Sequence, residues 1–210
     1  MFYVEKMATM PELIKESFIR LKRDPNMEKG DDYRYRAFSV GNIFAGEISI
    51  SEHSEVFHQS KKLNKYKGGI DRYFPLIEMD VARFVAKHII LPHVYSKIPQ
   101  NDYHFGIHQI RIKATDVMTG LPAPEGIHQD GFNYVAVNCV DFHNVTGGNS
   151  LLVKADQHDD VLFNQILTPN EMIVFDDKLY AHYASPIVPL LPGEGYRDVF
   201  VTTLQEVKTP

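Results

Sequence analysis

The sequence predicts a mostly β domain with flanking helices, folded as an antiparallel sandwich or barrel such as a jelly roll. Short strand-like runs follow one another closely after residue 104, and turns containing Gly, Pro or Asn separate them. No helix-period segment longer than about two turns interrupts this half convincingly. The runs are HQIRIKA, FNYVAVNCV, NSLLVK, EMIVFD and DVFVTTL.

The first hundred residues predict two helices with short strands between them. Residues 9–25 favour a helix that ends at Asp24-Pro25, and alternating segments within residues 33–51 favour strands. A second helix is expected over residues 76–98, with Pro92 ending or kinking it. We therefore expect a single domain of residues 1–210. Residues 1–100 would form a helix-and-strand cover, and residues 101–210 would supply the core strands that carry the functional site.

The composition excludes several classes of protein. The net charge is −5 with scattered Lys and Arg, so nothing indicates a nucleic-acid or anionic-membrane surface. No apolar run reaches the roughly 18 residues that a spanning helix needs, and charged residues interrupt the N-terminal stretch, which does not resemble a secretory signal. The single cysteine, Cys139, excludes a disulfide framework and favours a reducing compartment. We expect a cytoplasmic protein, and pairing into a homodimer stays open.

Two His-x-Asp motifs occur, and the bare motif is a weak signal. His128-Gln129-Asp130 directly precedes the most regular strand pattern of the chain. Residues i and i+2 of an extended segment point to the same face, so both side chains could reach one point. His158-Asp159-Asp160 instead lies in a charged stretch that favours a solvated connection. A polar surface pair remains the plain alternative for the first motif.

A metal needs a further ligand, and His182 is the candidate because it follows the run EMIVF by a short turn. Two imidazoles and one carboxylate leave three adjacent coordination positions open, which suits non-haem Fe(II) and oxygen chemistry. A structural zinc site would normally have four ligands, often cysteines. His104 and His108 form a rival pair on one strand face. Asp176 and Asp177, shortly before His182, are interpreted as turn formers.

Four segments in order, GIHQDGF, FHNVTGGNSLLV, FDDKLYAHYASPI and GYRDVFVTTL, resemble the 2-oxoglutarate/Fe(II)-dependent dioxygenases of the bacterial L-isoleucine 4-hydroxylase type. The resemblance covers about residues 100 to 205, with weaker similarity in YRYRAF and GGIDRYFPL upstream. It implies a double-stranded β-helix, a jelly-roll, cupin-like core. It also implies hydroxylation of a C–H bond of a free amino acid, which we expect to be an aliphatic L-amino acid, with decarboxylation of 2-oxoglutarate to succinate. The implied cofactors are Fe(II), 2-oxoglutarate and O2, with ascorbate as a stimulant.

The resemblance also implies roles for individual residues. His128, Asp130 and His182 would be the iron ligands, and Arg197 would pair with the distal carboxylate of 2-oxoglutarate. A planar guanidinium suits that role because it can donate two parallel hydrogen bonds to a carboxylate. Ser185 stands where family members often carry Thr, and it could add a hydroxyl near the same carboxylate.

An amino acid substrate needs a cation for its carboxylate, and Arg111 in HQIRIKA is the candidate. Tyr134 shares strand parity with His128 and Asp130, so it could line the cavity. A solvent-facing Arg111 and a core Tyr134 stay open. Two other functions also stay open: a metal-dependent isomerase or hydrolase, and a non-catalytic barrel that binds a small molecule.

Overall fold

The computed structural model describes residues 1–59, 61 and 68–207, and within them the chain forms twelve strands. The strands are β1 (Phe2–Lys6), β2 (Arg34–Phe44), β3 (Glu47–Ile50), β4 (Tyr103–Ala114), β5 (Tyr134–His143), β6 (Val145–Gly147), β7 (Asn149–Lys154), β8 (Gln157–Ile166), β9 (Glu171–Asp176), β10 (Tyr180–Ala184), β11 (Ile187–Pro189) and β12 (Gly195–Glu206). The five predicted runs after residue 104 are all strands.

The strands form one large and two small antiparallel sheets. The large sheet has the order β1-β9-β5-β12-β4-β2-β3, and the small sheets have the orders β10-β7-β8 and β11-β6. Non-consecutive neighbours in the large sheet mean that the chain repeatedly crosses between layers, as in a jelly roll. The predicted mostly β, jelly-roll fold is confirmed.

The large sheet is buried on both faces, and strand alternation sorts its side chains between them. On β5 and β9, Ala136 and Met172 pack in the core beneath the helices. Their neighbours Val137 and Ile173 point the other way and line a cavity toward the small sheets. This alternation decides which residues of each strand can reach a ligand in the cavity.

Both predicted helices are confirmed and cover the outer face of the large sheet. Helix α1 (Glu12–Ser17) continues as a 3₁₀ turn, and helix α2 (Met79–Val85) continues as a π-helix over Ala86–Val94. Pro92 lies inside that π-helix and does not end it, since the backbone bonds there run to the fifth preceding residue, as from Tyr95 N to Ile90 O. None of the helices in the described ranges is both long and apolar enough to cross a membrane.

Two predictions need correction. Residues 1–100 are more than a cover, because β1 pairs with β9 and β2 pairs with β4 inside the large sheet. The stretch around His158 and Asp160 is strand β8 and not a loose connection. It lies at the edge of its sheet, where charged side chains face solvent and discourage edge-to-edge pairing. There Asp160 Oδ2 forms an ion pair with Lys154 Nζ at 2.6 Å.

Candidate active site

An antiparallel bridge brings the two predicted histidine ligands side by side. His128 N donates to His182 O at 3.0 Å, and His182 N donates to His128 O at 2.8 Å. The imidazole centroids are 4.3 Å apart. Asp130 lies between the rings, with Oδ1 3.7 Å from His128 Nε2 and Oδ2 3.6 Å from His182 Nε2. One potential ligand atom from each residue lies within 4.8 Å of the others, so small side-chain adjustments could place all three around one ion.

The protonation of both rings suits metal binding. His128 Nδ1 lies 2.8 Å from Gly126 O, and because a carbonyl only accepts, Nδ1 carries the proton and leaves the Nε2 lone pair free. Burial is the main cause that lowers the pKa of His182 to about 4. His182 is therefore neutral near pH 7, as a metal ligand must be. Two imidazoles and a carboxylate, with no fourth protein ligand in the described cluster, fit Fe(II).

The rival histidines do not complete a metal cluster within the described residues. His104 is exposed and hydrogen-bonds Asn42. His108 is buried and stacks on Phe38 with ring centroids 4.3 Å apart. His158 lies on the exposed β8 strand, away from any described cluster of three ligands.

Asp177 organises the loop that carries Asp130, although the sequence indicated only a turn former. Its carboxylate accepts three backbone hydrogen bonds, from Asp130 N at 3.1 Å, Gly131 N at 2.6 Å and Phe132 N at 3.0 Å. Asp177 is 1% exposed, and burial, then the charge of Asp130, raises its pKa to about 7. The loop needs this support because Gly131 has a φ of +91°, which ends the extended run after Asp130.

Gln59 connects the metal carboxylate to a buried arginine, and no motif in the sequence marks it. Its Nε2 donates to Asp130 Oδ1 at 3.0 Å, and its Oε1 accepts from Arg72 Nη2 at 2.6 Å. Gln59 thus helps to orient the carboxylate of Asp130. It also holds Arg72 one side chain away from the metal cluster.

Arg197 lies on β12 and points into the same cavity as the metal cluster. It is 3% exposed, and its Nε and Nη2 have no hydrogen-bond partner within the described part of the chain. Burial lowers the pKa of this guanidinium, while contact with the Cys139 thiol raises it. Gly148, at a φ of +71°, gives the side chain its room, since a Cβ there would lie 3.2 Å from Arg197 Cδ. A buried cation without a partner is costly, and the carboxylate of a bound ligand would relieve that cost.

Two predicted substrate residues do not reach the cavity. Arg111 faces away from the cavity-lining His108 and Ile110 of β4, and it donates to Asp198 at 2.7 and 2.6 Å. Tyr134 packs beneath the helices, with its ring 6.2 Å from that of Tyr103. Tyr134 does not share a face with His128 and Asp130, because the bend at residues 131–133 interrupts the alternation between them.

Ser185 lies beside the cavity but is not among the described residues that line it. Its Oγ accepts a hydrogen bond from Asn149 N at 3.0 Å, and its own N donates to Asn149 O at 3.0 Å. The serine therefore ties the start of β7 to the end of β10. The structure does not bring its hydroxyl to Arg197.

Comparison with known proteins agrees with this geometry. A model of the 2OG-Fe dioxygenase family matches residues 15–203. L-isoleucine-4-hydroxylase of Bacillus thuringiensis is 26% identical over 170 residues, which cover 76% of this chain and 69% of the relative.

Solved structures share the fold. A bsmA homolog from Methylobium petroleophilum PM1 superposes with a TM-score of 0.77 at 22% identity, covering 95% of this chain and 82% of the other. IDO from Bacillus thuringiensis superposes with a TM-score of 0.67 at 19% identity, covering 94% of this chain and 83% of the other. The Fe(II)/(alpha)ketoglutarate-dependent dioxygenase TqaL superposes with a TM-score of 0.63 at 12% identity, covering 99% of this chain and 84% of the other. With a family match across nearly the whole chain and a His/Asp/His cluster facing a buried arginine, the protein belongs to the 2OG-Fe dioxygenase family, whose cofactors are Fe(II), 2-oxoglutarate and O2.

Proposed function

We propose that this dioxygenase hydroxylates a C–H bond in the aliphatic side chain of a free L-amino acid and converts 2-oxoglutarate to succinate and CO2. The observation that carries the proposal is one cavity lined by both the three-residue cluster and the unpaired Arg197. The likeness to L-isoleucine-4-hydroxylase supports a free amino acid as substrate. One oxygen atom of O2 enters the new hydroxyl group and the other enters succinate, so the C–H bond and 2-oxoglutarate supply all four electrons.

The residues present would divide the work simply. His128, Asp130 and His182 would hold Fe(II), and Arg197 would anchor the distal carboxylate of 2-oxoglutarate by charge-assisted hydrogen bonds. Bound iron and 2-oxoglutarate supply the oxidising chemistry, and the protein orients the substrate and excludes water. Apolar side chains that line the cavity help to exclude water, including Phe57, Leu152, Ile173 and Phe175.

No described feature favours a metal-dependent isomerase, a hydrolase or a non-catalytic barrel over this function. The match of the 2OG-Fe dioxygenase family model to residues 15–203 favours the dioxygenase over these alternatives. A cytoplasmic location, a possible homodimer and the absence of nucleic-acid and membrane partners stay predictions from the sequence.

The test measures succinate release with Fe(II), ascorbate, 2-oxoglutarate and each proteinogenic amino acid in turn. We expect succinate that depends on at least one amino acid, and a hydroxylated product of that amino acid. Arg197→Gln should raise the KM for 2-oxoglutarate at least about tenfold, the cost of losing one charged hydrogen bond.

The chain offers a matched control for the metal cluster, because it carries a second His-x-Asp motif. Asp130→Asn should abolish turnover, whereas Asp160→Asn, which alters a surface ion pair with Lys154, should leave turnover unchanged. Succinate release with no amino acid, or full activity of Asp130→Asn, would contradict the proposal.

A further inference from the structure

A second group of buried nitrogen donors lines the cavity besides Arg197, and we call it the cationic wall: the three arginines Arg34, Arg36 and Arg72, and the neutral His108. Arg34 and Arg36 lie on β2, and His108 faces Arg36 from β4. Arg36 is 7% exposed, Arg72 6% and His108 3%. The wall lies next to the metal cluster, since Gln59 joins Arg72 to Asp130.

The wall presents hydrogen-bond donors that have no acceptor. The Nε atoms of Arg34, Arg36 and Arg72 are buried without a partner among the described residues, and so is His108 Nε2. Arg36 Nη2 lies 2.8 Å from His108 Nδ1, and because arginine only donates, Nδ1 accepts and Nε2 carries the proton. These four N–H groups are therefore buried without an acceptor in the described part of the chain. An apolar side chain would leave them unpaired.

The net charge of the cavity lining also favours an anionic ligand. Among the described lining residues, four arginines face two carboxylates, Glu125 and Asp130. Bound Fe(II) and 2-oxoglutarate cancel each other's charge, so two positive charges remain. The buried Asp24, whose charge acts on Arg36 and Arg72, offsets one of them. Among the residues that line the cavity, the arginines thus outnumber the carboxylates, which favours an anionic group on the substrate.

A zwitterionic amino acid with an apolar side chain carries no net charge. Its α-carboxylate would satisfy one arginine, and its ammonium group would pair with a carboxylate such as Glu125. A second anionic group would still be needed. Burial is the main cause of the pKa of about 9 at Arg36, so this cation is poorly solvated and would gain from an anionic partner.

Resting on the proposed function, we propose that the substrate is an acidic amino acid, whose aliphatic side chain ends in a carboxylate. Arg36, Arg72 and His108 bind its two carboxylates, and the hydroxylated carbon lies between them, facing the metal cluster. Arg34, which donates to Leu121 O at 3.0 Å, contributes its Nε.

The test compares each acid with its own amide, which has nearly the same shape without the charge. Glutamate is compared with glutamine, aspartate with asparagine, and isoleucine and leucine serve as aliphatic references. Two measurements are made: succinate release, and the Tm of protein loaded with Mn(II) and 2-oxoglutarate without O2. We expect at least one acid to raise the Tm, and to give succinate at least about tenfold faster than its amide, the effect of one unpaired charge.

A substitution in the cationic wall tests whether these residues cause the preference for the acid over its amide. Arg72→Gln should reduce the preference of acid over amide at least about tenfold, in rate and in ligand-dependent Tm shift. Arg20→Gln, which alters an exposed ion pair with Glu78, is the matched control and should keep the preference. If Arg72→Gln does not fold, the comparison of acid with amide on the natural protein still decides.

The possible outcomes separate the two proposals. Turnover of isoleucine or leucine as fast as any acid overturns the acidic substrate and leaves the proposed function standing. An acid that raises the Tm without succinate supports the anionic site and contradicts the proposed function. Neither turnover nor a Tm shift with any amino acid overturns both.

Discussion

At the scale of single residues, the site combines residues with different hydrogen-bonding needs. The metal cluster is tightly braced, since Asp130 receives support from Gln59 and from the loop held by Asp177. The arginines of the cavity instead keep buried donors unpaired. This contrast separates groups arranged for a metal from groups arranged for organic anions.

Asp177→Asn should weaken metal binding without changing a metal ligand. The amide replaces one acceptor oxygen by a donor, so the backbone N–H groups of Asp130, Gly131 and Phe132 lose part of their support. Residues that orient metal ligands typically contribute about 10- to 100-fold in affinity. We expect a loss of at least about tenfold in Mn(II) affinity, measured by titration calorimetry.

Asp176→Asn is the control for that variant, because the Asp176 side chain accepts a local bond from Lys178 N and does not contact the Asp130 loop among the described residues. It should bind Mn(II) as tightly as the natural protein. Equal affinity of Asp177→Asn and Asp176→Asn would mean that the Asp177 contacts do not position the ligand.

His108 should make the fold less stable as the pH falls. Burial, and then the charges of Arg36 and Arg72, lower its pKa well below 6.5 in the folded state. Below pH 6.5 the unfolded chain binds a proton that the folded protein refuses, so stability declines as the pH falls. The decline is up to about 1.4 kcal/mol per pH unit for each such group.

Other groups also titrate between pH 6.5 and 5, so the effect of His108 is measured as the difference in free energy of unfolding between two proteins. The free energy of unfolding of the natural protein minus that of His108→Gln should fall between pH 6.5 and 5. Urea unfolding without metal measures it at each pH. A difference that does not vary with pH would show that His108 is not held neutral in the folded protein.

At the scale of elements, the turn between β6 and β7 controls the space for Arg197. Gly148→Ala places a methyl group 3.2 Å from Arg197 Cδ and 3.1 Å from Ile187 Cγ2, at a φ of +71°. We expect the KM for 2-oxoglutarate to rise about tenfold as the guanidinium shifts, besides a loss of roughly 1–2 kcal/mol in stability from backbone strain. Kinetics with varied 2-oxoglutarate measure the first effect.

Gly193→Ala is the control, because Gly193 also has a positive φ but no atom within 4 Å of the added Cβ. It should lose stability through strain and keep the KM for 2-oxoglutarate. If both variants raise the KM equally, general strain and not contact with Arg197 is the cause.

The metal cluster itself shows how elements create a site. His128 precedes β5 by a bent loop, while His182 lies within β10 of the other sheet. A single bridge between their backbones joins the two layers and fixes the ring separation. The sequence marked both residues as ligands, but only this pairing of layers brings the imidazoles together.

At the scale of the whole molecule, metal and co-substrate should stabilise the fold. A ligand that binds only the folded state adds about 2.7 kcal/mol at a concentration 100 times its Kd, which is roughly 5–10 °C in Tm for a chain of this size. We expect that rise with Mn(II) and 2-oxoglutarate in the absence of O2, measured by differential scanning calorimetry. A chelator should reverse it.

Asp130→Asn should lose the rise, and Asp160→Asn should keep it. The comparison works because Asp130 lies between His128 and His182, whereas Asp160 pairs with a surface lysine. A full rise in Asp130→Asn would place the metal elsewhere.

Much of this molecule follows from patterns that are local in the sequence. Alternation and turn residues predicted the strands after residue 104, and the order of four motifs predicted the family. Edge strand β8 was missed because its charged residues resemble a solvated loop, and the backbone pairing that makes it a strand comes from β7. The sequence also does not indicate strand β1, because the backbone partners that make it a strand come from β9.

The ligand types, the strand pattern and the family can be read from the sequence alone, because spacing and residue chemistry are properties of short segments. The pairing of Arg111 with Asp198 behind the sheet, and the position of Arg36 and Arg72 at the cavity, become visible only in the folded chain. The physical reason is that a charge is defined by its surroundings, and those surroundings come from strands far apart in the chain. Asp177 shows the same limit, since its three hydrogen bonds reach a loop 45 to 47 residues away.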